Sequence, residues 1–275
     1  MVRPESQRAE SIALRVANLL SSRGYQPCVD VETASSYPSL RSLGAFKLEE
    51  APPPSKVIVI GGDGTLLRAS VRGGDNDVLF LAVRAGKRGF LMDVDESVLD
   101  KRLQQFLEGD YELVLHSRLR AELHGKKLPC ALNDVVFFTS EGSMVKMEVL
   151  LNSGRVMSID GDGLVISTTT GSTAYSLNAG GPIIDPRLDV IVLTPLNAVQ
   201  LFLRSVVLPL SSKLRVRLRD DSGPAYLVID GQVKYRVEGG DEVSVYPCEK
   251  PLKVARFGWW DDYYERLFER LFSYW

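Results

Sequence analysis

Five consecutive residues, Gly61-Gly62-Asp63-Gly64-Thr65, place a permissive backbone, a carboxylate and a hydroxyl at one point of the chain. Glycines allow positive φ and close backbone approach, so successive N–H groups in such a loop can face a phosphate. A carboxylate among phosphates is repelled unless a cation or a proton transfer gives it a purpose. Asp63 therefore reads as a general base or a magnesium partner; closing the turn is the plainer use of an aspartate. Other phosphate-binding loops are missing. Gly86-Lys87 is followed by Arg88, so there is no GxxxxGK[ST], and no GxGxxG occurs either. Both absences argue against a P-loop ATPase and an ordinary dehydrogenase.

A second polar concentration runs from 159 to 184, IDGDGLVISTTTGSTAYSLNAGGPII. It holds hydroxyls from Ser167 to Thr173 together with Gly161, Gly163, Gly171, Gly180 and Gly181, the donors and clearances that a nucleotide's ribose and phosphates require. Simple loop composition is the alternative, against which stand the apolar residues 164–166 just before it and the Ala174-Tyr175 pair within it. The two histidines, His116 and His124, fall in a polar region between expected strands and read as structural, so a histidine base is not expected. Cys28, Cys130 and Cys248 are odd in number and far apart. That spacing indicates neither a disulfide framework nor a metal site, and they read as small buried hydrophobes.

These residues must be held by regular elements. Residues 10–23 carry Ile12, Val16, Leu19 and Leu20 at helical spacing and stop at Gly24. Residues 56–60, KVIVI, are apolar nearly throughout, as in a strand covered on both faces of a parallel sheet. Strand, glycine loop and a helix from Leu66 onward make a phosphate-cradling order. A second buried strand at 78–83 leads to a turn at Gly86 and Gly89, so residues 1 to about 90 form an open α/β region. From Leu113 the pattern changes to short alternating segments, at 119–123, 131–138, 144–151, 163–167, 214–218, 226–229 and 242–245, which predicts an antiparallel all-β region. KLRVRLR at 213–219 has the period of a half-exposed strand. At 263–275 helical spacing returns, with Tyr264, Leu267, Phe268 and Leu271 on one face, either docking on the core or forming an oligomer interface.

Composition bounds the function. The chain has 275 residues, 45% apolar and 25% charged, a soluble globular profile with room for one large domain or two. A net charge of −2 gives no reason to expect nucleic acid as a partner. No run approaches a membrane span and no signal-peptide pattern opens the chain, so the expected location is the cytoplasm.

GGDGT at 61–65, Asn133-Asp134, TTTGSTAYSLNAGGP at 168–182 and Asp230-Gly231-Gln232 occur in the order seen in NAD kinases. The chain resembles an archaeal-type member of that family from about residue 10 to its end, the Gly89-Phe90-Leu91 turn included. The GGDG loop alone is shared with diacylglycerol, sphingosine and 6-phosphofructokinase relatives; the GSTAYS stretch singles out NAD kinases. The resemblance implies an α/β plus all-β fold. An α/β domain, 1–95, would be completed by the tail 253–275 crossing back from a β-rich, sandwich-like NAD-binding domain, 96–252.

The activity so implied is phosphorylation of the 2′-hydroxyl of NAD's adenosine ribose. By motif matching Asp63 takes that hydroxyl's proton, and Asn133 and Asp134 bind NAD by hydrogen bonds. Asp162, Thr173, Ala174 and Tyr175 line the pockets for its nicotinamide and adenine ends, while Gly61, Gly62, Gly64 and Thr65 face phosphates. Without a Walker lysine, Mg2+ or another divalent metal, together with arginines, must balance the donor, ATP or polyphosphate. Arg68 and Arg204 are the candidate arginines, and no residue is assigned as a metal ligand. A homodimer or homotetramer is implied, with no membrane partner. Competing readings are a lipid or sugar kinase of the same superfamily, or a non-catalytic NAD(P)-binding sensor. Two departures stand out. Val199 lies about where bacterial members carry a histidine, and only ten residues precede Ser11, where the family places a strand. Either that strand is dispensable or the true start lies further upstream.

Overall fold

The apolar run after Ser55 forms the strand Lys56–Gly61, which pairs in parallel with Leu79–Arg84, itself parallel to Leu252–Arg256. Glu112–His116 completes a four-stranded sheet in which Leu252–Arg256 lies between Leu79–Arg84 and Glu112–His116. The computed structural model describes residues 1–50, 53–86, 89–139, 142–152 and 154–272. Lys87, Arg88 and the last three residues of the expected tail helix lie outside them. The chain divides into two units, Met1–Leu115 with Leu252–Trp275, and His116–Pro251.

In the first unit the helix Gln7–Ser22 starts at Ser6, whose hydroxyl accepts the Ala9 N–H, and ends before Gly24 at φ +81. Its apolar stripe, Ala9, Ile12, Ala13 and Val16, packs with Ile60, Leu81 and Val83 of the sheet. The expected strand before this helix is reduced to one bridge. Val2 pairs in parallel with Ile60, whose N–H donates to the Met1 carbonyl at 2.9 Å and whose carbonyl accepts the Arg3 N–H at 2.8 Å. Leu99–Glu108 is a helix whose buried Leu99, Leu103 and Phe106 join the same core as Val83 and Ala255, so residues 96–115 belong with the first unit.

The tail helix Tyr263–Phe272 corrects the expected facing. Tyr263 and Leu267, four residues apart, are buried. Tyr264, Phe268 and Phe272 instead stack along the outer side, their ring centroids 6.5 and 6.3 Å apart.

The second unit holds two six-stranded antiparallel sheets. One orders Gly154–Gly161, Val145–Leu151, Leu214–Leu218, Glu242–Pro247, Leu119–Leu123 and Lys126–Ala131. The other orders Val206–Pro209, Val190–Leu196, Gly163–Thr168, Asp134–Thr139, Ala225–Ile229 and Val233–Val237. Leu214–Leu218 alternates buried leucine or valine with exposed arginine, as its period predicts. The single strand expected at 131–138 is broken. Lys126–Ala131 lies in the first of these sheets and Asp134–Thr139 in the second, so the chain changes sheets at Leu132-Asn133. It changes sheets again at Asp162, between Gly154–Gly161 and Gly163–Thr168.

The cysteines differ from expectation. Cys130 and Cys248 form a disulfide across 118 residues of sequence, with Cα atoms 6.4 Å apart, and Cys28 is exposed and free. Pairing at that separation leaves no local spacing signature. No helix among the described residues is long and apolar enough to cross a membrane.

Candidate active site

In the first unit the glycine loop turns strand Lys56–Gly61 directly into helix Asp63–Gly73, with Gly62 as the N-cap. None of Gly61, Gly62 and Gly64 takes positive φ. What requires a glycine is space, because a Cβ on Gly61 would collide with the Thr65 hydroxyl and crowd the Arg3 Cβ. Thr65 is buried, and its Oγ1 accepts the Gly62 N–H at 3.4 Å. A helix leaves its first N–H groups without internal partners, here those of Asp63 and Gly64, and its dipole favours negative charge at that end.

Asp63 is one-quarter exposed at the first helical position. Its Oδ2 accepts the Phe90 N–H at 2.9 Å and its Oδ1 the Leu91 N–H at 2.8 Å. Each oxygen keeps a further lone-pair direction, so the carboxylate is fixed without being used up. Arg270 Nη1 lies 3.9 Å from Oδ2. The Leu91 carbonyl accepts from Arg256 Nη1 at 2.6 Å, and the same nitrogen donates to Asp93 Oδ1 at 2.8 Å. Burial pushes the Arg256 guanidinium down from its ordinary pKa, and the Asp93 carboxylate opposes that. Arg84, in register with Gly61, holds Asp95 through two bonds of 2.6 and 2.5 Å, which raises its pKa.

In the second unit, Asp230 organises the sheet crossing. Its Oδ2 accepts the Leu132 N–H at 2.7 Å, and its Oδ1 accepts those of Asn133 and Asp134 at 2.7 and 3.0 Å. Burial raises its pKa to about 6 against the pull of these three N–H bonds. Asp134 is pushed up to about 7, first by burial and then by the Asp230 charge. Beside it Asn133 Oδ1 is buried with no hydrogen-bond partner among the described residues. The hydroxyl-rich loop is tied to the same place. Thr168 Oγ1 donates to the Leu132 carbonyl at 2.6 Å and accepts the Gly171 N–H at 3.0 Å. A Cβ on Gly171 would fall on the Asn133 carbonyl. Thr173 is buried, Ala174 half-buried, and Tyr175 opens the short helix Tyr175–Asn178 with its side chain exposed.

The structure thus brings Asn133, Asp134 and the 168–175 loop together. Asp162 is not among them. Gly163 pairs with Phe138 and Ser167 with Asp134, so Asp162 stands at the other end of these strands, about 15 Å away at ~3.3 Å per residue. There it accepts from Asn197 Nδ2 at 2.7 Å. Arg68 pairs with Glu32 at 3.8 Å, and Arg204 donates to the carbonyls of Leu201 and Leu203 in its own loop. His116 is buried, its Nδ1 3.1 Å from the Thr170 hydroxyl, and His124 meets Asp241 at 2.8 Å. Val199 is exposed. Sequence reasoning noted Asp230 only as a motif and missed Arg256, although a lone arginine inside the apolar run LKVARFGWW was a usable signal.

Among the described residues no group of three or more histidine, cysteine or acidic side chains gathers to hold a metal. A cation at the glycine loop would have Asp63 as a single carboxylate donor, so the described residues do not amount to a protein cage for it.

Two family models match the chain, the ATP-NAD kinase N-terminal domain over residues 1–111 and the ATP-NAD kinase C-terminal domain over 132–257. The chain is 47% identical to an NAD kinase of Aeropyrum pernix over 100% of its own length and 98% of that protein's. It is 34% identical to one of Methanothermobacter thermautotrophicus, over 96% and 92%. In fold it is similar to yeast NADH kinase complexed with NADH, at TM-score 0.84 and 23% identity, covering 99% of this chain and 86% of that one. It is similar also to an NAD kinase from Archaeoglobus fulgidus in complex with ATP, at TM-score 0.73 and 20% identity, covering 93% and 94%. On two domain models that between them take in most of its length, and on relatives matched nearly end to end, the chain belongs to the NAD kinase family.

Proposed function

We infer that this chain phosphorylates the 2′-hydroxyl of the adenosine ribose of NAD, using ATP or another phosphate donor, and releases NADP. The observation that carries the reading is Asp63, a partly exposed carboxylate fixed by two backbone N–H groups where a glycine loop meets a helix N-terminus. A ribose hydroxyl is a poor nucleophile at neutral pH. A base fixed beside it contributes roughly 10²–10⁴-fold, and positioning supplies much of the remainder in phosphoryl transfer.

Asn133 and Asp134 would bind NAD by hydrogen bonds, a role supported by Asn133 Oδ1, which is buried with no partner among the described residues, and by the burial of the Asp134 carboxylate beside it. Thr173, Ala174 and Tyr175 would line its nicotinamide and adenine pockets beside them. Asp162, at the other end of the strands Asp134–Thr139 and Gly163–Thr168, is assigned to the NAD pockets on the family resemblance alone. Gly61, Gly62, Gly64, Thr65 and Arg68 would face the donor phosphates, where the first N–H groups of the helix favour negative charge. Mg2+ or another divalent metal would neutralise those phosphates, held mainly by the donor itself. We place the protein in the cytoplasm as a homodimer or homotetramer. Stacked Tyr264, Phe268 and Phe272 offer an apolar outer face for assembly. The disulfide bears on the location, since cytoplasmic disulfides are uncommon outside hyperthermophiles.

Purified protein incubated with NAD, Mg2+ and ATP or polyphosphate should yield NADP, read by an NADP-specific dehydrogenase. A folded sample yielding none with any donor would sink the reading. Asp63→Asn should lower kcat by roughly 10²–10⁴-fold while NAD affinity stays within a few-fold. An undiminished rate would show that another group is the base.

A further inference from the structure

Leu91 is gripped at both ends. Its N–H donates to Asp63 Oδ1 at 2.8 Å, while its carbonyl accepts from Arg256 Nη1 at 2.6 Å. Arg256 is wholly buried, is paired with Asp93 and lies 3.8 Å over the Trp259 ring. Burying a guanidinium is costly, and an apolar side chain of similar volume would serve packing as well or better. What an apolar side chain would not do is hold the Leu91 carbonyl.

The other oxygen of Asp63 is arranged similarly. Oδ2 takes the N–H of Phe90, whose ring is enclosed by Trp259 at 5.9 Å, Tyr263 at 5.1 Å and the Arg270 guanidinium at 5.6 Å. Arg270 also reaches Oδ2 itself at 3.9 Å. Every one of these contacting groups comes from the segment Leu252–Trp275, which returns to the first unit only after residue 251.

We propose that Arg256 and Arg270 are positioning residues for Asp63, so that docking of the C-terminal segment sets where the carboxylate points. The proposal deepens the functional reading above and rests on it. A misplacement of about 1 Å at a reacting group costs on the order of a hundredfold in rate, so small shifts of the Phe90-Leu91 turn are enough to matter. Neither arginine touches substrate in this account, and the loss falls on kcat rather than on binding.

The test is steady-state kinetics on Arg270→Gln, Arg270→Lys and Arg256→Lys beside the parent. Arg270→Gln should lower kcat about tenfold with both KM values within about twofold, Arg270→Lys should recover most of that, and Arg256→Lys should lose more. Because replacing a buried arginine endangers folding, amide exchange gives a second readout on Arg270→Gln, whose side chain is one-third exposed. Phe90 and Leu91 amides should exchange at least about tenfold faster than in the parent while those of Lys56–Gly61 do not change. Parent-like kcat in the folded variants, a matching loss in kcat and KM, or unchanged exchange at Phe90 and Leu91 would each overturn the proposal. A parent protein that makes no NADP defeats the functional reading instead, and the exchange rates still decide this one.

Discussion

Asp134 keeps a carboxylate where burial and a second acid, Asp230, both disfavour its charge. Its ordinary value of 3.8 rises to about 7 in the fold, and that of Asp230 to about 6. The folded protein therefore binds protons that the unfolded chain has already released. Stability from the protonated pair is complete below 3.8 and is lost as pH rises through about 6 to 7. Asp134→Asn abolishes this titration, so its stability relative to the parent should improve between about pH 5 and about pH 8, by roughly 1–3 kcal/mol. Urea unfolding at both pH values measures it, and an equal difference at the two would contradict the burial argument. A residue retained at such a cost, beside the buried Asn133 Oδ1 that has no partner among the described residues, fits a contact reserved for a ligand.

Among the elements, the disulfide joins the end of Lys126–Ala131 to the residue following Glu242–Pro247 and closes a loop of 118 residues. Cys130→Ser should cost about 2–4 kcal/mol, and a reductant should lower the parent's Tm toward that of the variant without moving the variant's own. A parent indifferent to reductant would mean that the bridge does not form in solution. Elements with clean periodicity were legible in the sequence. The helix Gln7–Ser22, the strands Lys56–Gly61 and Leu79–Arg84, and the alternating Leu214–Leu218 are such cases. Gly154–Gly161 and Val190–Leu196 were not, because glycines and an aspartate in one and Pro195 in the other obscure the strand pattern. The break at Leu132-Asn133 was invisible for a different reason, since it depends on a carboxylate 98 residues away capturing the Leu132 N–H. Local spacing located the GGDGT loop and the hydroxyl loop, whereas Asp230 and Arg256 act through contacts that no local pattern encodes.

At the level of the whole molecule, one unit is inserted into the other. The chain leaves the first unit after Leu115 and returns at Leu252. The returning strand Leu252–Arg256 is interior, placed between Leu79–Arg84 and Glu112–His116. The first unit therefore lacks an inner strand until the second has been synthesised, and N-terminal-first folding cannot finish it. The second unit has no such debt, since both of its six-stranded sheets are built within His116–Pro251. Deleting residues 252–275 removes that inner strand together with buried Leu252, Val254, Ala255, Arg256, Trp259, Tyr263 and Leu267. Residues 1–115 should then become protease-sensitive, while a resistant fragment starting near residue 116 survives, its ends read by mass spectrometry. NADP formation should vanish with the first unit even though the Asn133-Asp134 crossing stays intact. Equal protection of both units in the truncated chain would show that the sheet tolerates losing its inner strand, and the dependence of the GGDGT loop on the C-terminal segment would fall with it.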